Sequence, residues 1–175
     1  METQTPSVKK IAMTYGVLWG LGTIILGVIG YVTNNYLERS WTTSLIGIAI
    51  MIAAIVFGLK AFKKDSGGYM SFGEGLKTGM AITLIAALIG AIWTYLFVTV
   101  IEPDFVTLLL ERTQEQMLEQ NPDMTDEQID VAIEMTERFT QPWLMSTFSI
   151  IGSLFFGFIT SLICSAVMKV NRPTH

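Results

Sequence analysis

The sequence predicts an all-α integral membrane protein: a bundle of four transmembrane helices with an amphipathic helical hairpin outside the membrane between helices three and four. Three observations predict it. Hydrophobic residues fill 51% of the 175 positions and charged residues only 15%, well below the quarter or so typical of soluble domains. Four long stretches contain no Asp, Glu, Lys, Arg or His. The acids crowd into one interval between the third and fourth stretches, so the modest net charge of -4 conceals a strong segregation of sign.

A span needs about 20 apolar residues, because a helix rises about 1.5 Å per residue and the hydrocarbon core is about 30 Å thick. Residues 11–33, 40–59, 78–101 and 143–168 meet that requirement. Each is expected to be helical, since unpaired backbone groups cannot face lipid. Lys9 and Lys10 precede the first stretch in the manner of a signal peptide. That stretch is much longer than an h-region of about 7 to 15 residues, so it reads as a retained helix.

Orientation follows from the cations. Lys9, Lys10, Lys60, Lys63, Lys64, Lys77, Lys169 and Arg172 lie on one side of the four spans, and only Arg39, Arg112 and Arg138 on the other. Short cytoplasmic segments are enriched in Lys and Arg, so both termini are expected in the cytoplasm. Tyr31, Tyr36, Trp41 and Trp143 fall at the expected outer boundary, with Tyr69 and Phe72 near the inner one. Trp41 and Ser44 open span two much as Trp143 and Ser146 open span four, a similarity that two outer helix starts explain without a repeat.

The external segment 102–142 carries eleven acids against Arg112 and Arg138, a net charge of -9. A loop so long is expected to hold structure of its own. Val106, Leu109, Leu110 and Met117 recur near helical spacing over residues 105–120, with Asp104 after Pro103 as the N-cap. A second helix over 126–140 is announced by a Thr125–Gln128 capping box and a stripe of Ile129, Ala132, Ile133 and Phe139. Asn121, Pro122 and Asp123 supply the turn between them.

Function is less legible. Small residues line the spans: Gly16, Gly20, Gly27 and Gly30 in the first, Gly79, Thr83, Ala86 and Gly90 in the third, and Ser153, Gly157, Ser161 and Ser165 in the fourth. Such stripes let helix backbones approach closely in lipid; they serve bundle packing or, alternatively, a homo-oligomer interface or a lipid groove. The spans lack the titratable groups with which ion-coupled transporters handle their cargo. The single histidine, His175, is the last residue, and the single cysteine, Cys164, lies in an apolar run. No triad or cysteine-based zinc site can be built from them, and no cofactor or metal is expected. No basic face offers itself to nucleic acid. Glu111, Glu115 and Glu119 share one helical face, and Asp130, Glu134 and Glu137 another. Either set has spacing that permits calcium, but a solvated acidic face is the ordinary reading.

The loop between spans two and three places lysines beside a turn at Gly67 and Gly68, then Tyr69, Phe72 and Leu76. That stripe suits a short helix lying in the membrane interface before span three. The run from Gly67 through Gly79, with Ile101-Glu102-Pro103-Asp104-Phe105 after the third span, resembles domain of unknown function family 4199 of Bacteroidota. The order of elements is similar over nearly the whole chain. The resemblance implies a four-helix bacterial inner-membrane protein and brings no catalytic residue with it.

The sequence therefore points to a non-enzymatic protein embedded in the lipid bilayer, an accessory or subunit of an envelope system acting through its helix faces and acidic hairpin. A small permease or lipid-handling protein working as a homo-oligomer is the alternative, and an enzyme using loop carboxylates a third reading. Candidate interaction or packing residues are Gly16, Gly20, Gly67, Gly68, Tyr69, Phe72, Gly79, Gly157 and Ser161.

Overall fold

The computed structural model describes residues 7–37 and 40–172; Arg39 and His175, both used above, lie outside the described residues. Six α-helices follow one another: α1 (Val8–Val32), α2 (Trp41–Asp65), α3 (Phe72–Leu96), α4 (Phe105–Gln120), α5 (Asp126–Phe139) and α6 (Pro142–Met168). A π-helical turn, Phe97–Ile101, extends α3. With that turn included, α1, α2, α3 and α6 are long and apolar enough to cross a membrane, making this a multi-pass membrane protein. One end of the bundle carries the lysines and the described ends of the chain, the other the α4–α5 hairpin.

Three of these helices reach past the apolar stretches at the lysine end. Ser7 accepts a hydrogen bond from the Lys10 N–H, starting α1 ahead of Lys9 and Lys10. α2 continues through Lys60, Lys63 and Lys64, where cations near a helix C-terminus meet the negative end of its dipole. Gly67 and Gly68 then take φ values of 70° and 94°. Gly68 N–H bonds to Lys63 C=O at 2.8 Å and Gly67 N–H to Lys64 C=O at 3.2 Å, the pattern of a Schellman stop. Positive φ at two successive residues is what glycine permits there.

The separate interfacial helix expected around Tyr69, Phe72 and Leu76 does not form. Ser71 and Glu74 make a reciprocal capping box, so Phe72 and Leu76 belong to the first turns of α3, while Tyr69 lies in the link before it. The link is tied down instead by Met70, which is fully buried and exchanges two backbone hydrogen bonds of 2.9 Å with Val170. Lys63 Nζ donates to the Met168 carbonyl at 3.3 Å, fastening the end of α2 to the same tail.

α3 is the hub, packed along α1 on one side and α6 on another. Its contact with α6 is a ladder of glycine against hydroxyl. A Cβ on Gly75 would lie 2.7 Å from Ser165 Oγ, one on Gly79 would overlap Ser161, and one on Gly157 would overlap Thr83. Ser161 and Ser165 are fully buried, and their hydroxyls have no conventional partner among the described residues. Both face glycine Cα atoms, so weak Cα–H···O contacts supply part of what is missing. Against α1 the fit is glycine to isoleucine: Gly16 lies beneath Ile82 and Ile85, Gly20 beneath Ile89.

The buried apolar core lies mostly in the lysine-end half: Ile11, Ala12 and Trp19 from α1, Met51 through Phe62 from α2, and Ile82 and Ala86 from α3. Toward the hairpin end the helices loosen, and the first ten residues of α2 include none that is buried. In the hairpin, Thr125 and Gln128 cap α5 reciprocally, and Ile129 is buried while Leu109 and Ile133 are half-buried. Asp104 occupies the N-cap of α4, yet its side chain makes no capping hydrogen bond there.

Candidate functional site

The loosened end of the bundle holds a partly open cavity of about 410 Å³, lined by α1 (Thr23, Leu26, Gly27, Gly30), α2 (Thr43, Gly47) and α3 (Trp93). The α1–α2 connection adds Asn35 and Tyr36, and Phe97 and Phe105 complete the wall. This size falls within the range of small-molecule sites, about 300–1,000 Å³.

Glycines make the space. Gly27 lets Trp93 press close, with the indole Nε1 only 2.6 Å from where a Cβ would stand. Gly47 faces open space, with nothing within 4 Å of a Cβ built on it. A second, shallower pocket of about 240 Å³ also touches Gly47, lined besides by Trp19, Ser44, Ile48, Met51, Gly152, Ser153 and Phe156. Gly47 of α2 thus borders both spaces, while Ile50, one turn on, packs against Gly22 of α1.

Phe97 organises the aromatic cluster at the hairpin end of the larger cavity. Its ring lies 5.6 Å from Tyr31, 5.9 Å from Tyr36, 5.8 Å from Trp93 and 5.6 Å from Phe105, centroid to centroid. Most of these pairs are edge-on or tilted, the geometry that aromatic quadrupoles favour. The π-helical turn begins at Phe97, where Glu102 N–H bonds back to the Phe97 carbonyl at 2.8 Å. Such turns recur at functional sites because they rotate side chains out of the α-helical register. Burial, together with the Glu102 carboxylate and Tyr31, pushes the Tyr36 phenol above its ordinary value. Tyr36 thus keeps its proton and can donate.

The sequence-derived candidates lie elsewhere. Gly16, Gly20, Gly79, Gly157 and Ser161 are helix-contact residues, Gly67 and Gly68 form the α2 stop, and Tyr69 and Phe72 flank the α3 cap. The structure brings Gly79 against Ser161 but takes none of the nine into the cavity wall. Tyr36, expected at the bilayer boundary with Trp41 and Trp143, turns inward, while those tryptophans remain 79% and 60% exposed. Gly27 and Gly30 gave a partial signal in the α1 stripe. Phe97 gave none, and Phe105 stood out only as the end of the 101–105 run.

The family model described as protein of unknown function (DUF4199) matches residues 14–170. The chain belongs to this family. No curated protein and no solved structure matches it. The DUF4199 match begins within α1 and runs to Val170, so it spans the four bundle helices, the hairpin and the residue that pairs with Met70. On the hairpin, the carboxylates of Glu111, Glu115, Glu119, Asp130, Glu134 and Glu137 face outward, with Arg112 paired to Glu115 at 3.1 Å and Arg138 to Glu134 at 2.7 Å. Among the described residues, no group of three His, Cys, Asp or Glu side chains could hold a metal ion.

Proposed function

We propose that this protein is a non-enzymatic component of a bacterial inner membrane, with its lysine end in the cytoplasm and its hairpin outside, serving an envelope system as an accessory subunit. The hairpin carries this reading. It is a self-packed pair of helices, the second capped by Thr125 and Gln128, with a net charge of -9 over residues 102–142 and the six carboxylates named above facing outward. Ring contacts at its two feet, Phe105 with Tyr36 and Phe97, and Phe139 with Phe148, link it to the bundle. A steady, strongly negative surface steers and orients a basic partner. The eight-to-three distribution of cations supports the orientation, and apolar stretches free of Asp, Glu, Lys, Arg and His support a binding rather than a catalytic role.

Purification from native membranes in mild detergent tests this. A stoichiometric partner is expected, released by salt and lost when Glu111, Glu115 and Glu119 are changed together to Gln in a variant that melts as the wild type. Purification of the protein alone, with unchanged behaviour of the triple variant in cells, would contradict the subunit role.

A further inference from the structure

We propose that the cavity between α1, α2 and α3 holds one acyl chain of a zwitterionic, amine-bearing lipid; this does not depend on the docking role of the hairpin. The argument begins with position. Thr23, Leu26, Gly27, Gly30, Thr43, Gly47 and Trp93 belong to membrane-crossing helices, so the cavity lies at bilayer depth. An empty void there forfeits the dispersion contacts of its lining, and the nearest material able to restore them is a lipid chain. A flexible chain can follow the space beside Gly47, where a Cβ would meet nothing within 4 Å.

The choice of headgroup comes from charge. Among the described residues, none lining the cavity bears a cation that could hold a phosphate, and the polar side chains there are the neutral Thr23, Asn35, Tyr36, Thr43 and Trp93. Beside Tyr36 stands the Glu102 carboxylate, at the foot of a segment with net charge -9. That field repels an anionic headgroup and attracts an ammonium. The Asn35 side-chain amide offers hydrogen bonds to the ester and phosphate oxygens of the same lipid, while the Tyr36 phenol donates to the Glu102 carboxylate and holds it at the rim.

The test uses the full chain in vesicles containing phosphatidylethanolamine with a photoactivatable diazirine in mid-chain, the labelled residues being mapped by mass spectrometry. Labelling should concentrate on the segments 23–30, 43–47 and 93–97 and exceed that on the lipid-exposed Phe155. Unlabelled phosphatidylethanolamine should compete at a concentration about tenfold below that of phosphatidylglycerol. Gly47→Leu, which fills the space from a position with no neighbour to clash, should abolish this labelling and spare Phe155. Thr43→Leu does the same from the adjacent turn if the first variant does not assemble. Labelling no stronger in the cavity than at Phe155, equal competition by the anionic lipid, or full labelling in a folded Gly47→Leu protein would each overturn the proposal.

Discussion

Single residues decide how closely α3 approaches its neighbours, and they divide sharply by environment. A side chain added at Gly20 must displace Ile89, whose Cγ2 lies 2.7 Å from the missing Cβ, and one added at Gly157 overlaps Thr83. Leu18, by contrast, is 58% exposed on the outside of α1. Gly20→Leu and Gly157→Leu should therefore cost about 1–3 kcal/mol by overpacking, with Leu18→Ala within about 0.5 kcal/mol of wild type. Thermal unfolding in detergent checks this, and equal midpoints for the three variants would refute the packing account. The stripes of small residues in the first, third and fourth spans were legible, because a period near four identifies a helix face. Their partners were not. That Gly79 meets Ser161 and Gly157 meets Thr83 depends on the relative height of two antiparallel helices, which no local pattern encodes.

Helices and their stops were more legible, since capping chemistry is local. The Thr125–Gln128 box is visible in the sequence and present in the structure, with hydrogen bonds of 3.1 and 3.4 Å. Thr125→Ala should remove about 1 kcal/mol from the hairpin, read as faster amide exchange in α5. Ser71 with Glu74 was open to the same reasoning, but the apolar stripe of Tyr69, Phe72 and Leu76 suggested an interfacial helix in place of a cap. The clasp between Met70 and Val170 could not be foreseen, because two residues so far apart in sequence carry no shared signal. Val170→Pro removes the N–H that bonds to the Met70 carbonyl and should cost about 1 kcal/mol. Faster exchange of the Met70 amide in that variant checks it. Calcium at micromolar concentration should leave the melting of α4 and α5 unchanged, since their carboxylates face outward without converging. A rise of several degrees, lost in Glu134→Gln, would restore the cation-site reading.

Across the whole molecule the helices divide into a tight half and a loose half. Met51, Ile55, Leu59 and Phe62 fix α2 at the lysine end, while Gly47 of the same helix borders two open pockets. Composition established the membrane class, and the four uncharged stretches marked the helices that can cross it, because hydropathy acts over whole segments. The cavity escaped notice because it is a space left by helix divergence and by a π-helical turn, neither of which has a compositional signature. The account rests on orientation, for the acidic hairpin can meet an envelope partner only if it lies outside the cytoplasm. The most direct test is a pair of alkaline phosphatase fusions, since that enzyme matures only where disulfides form. Insertion near Asn121 should give an active enzyme and fusion at the C-terminus an inactive one; activity at the C-terminus, with none at Asn121, would contradict the account.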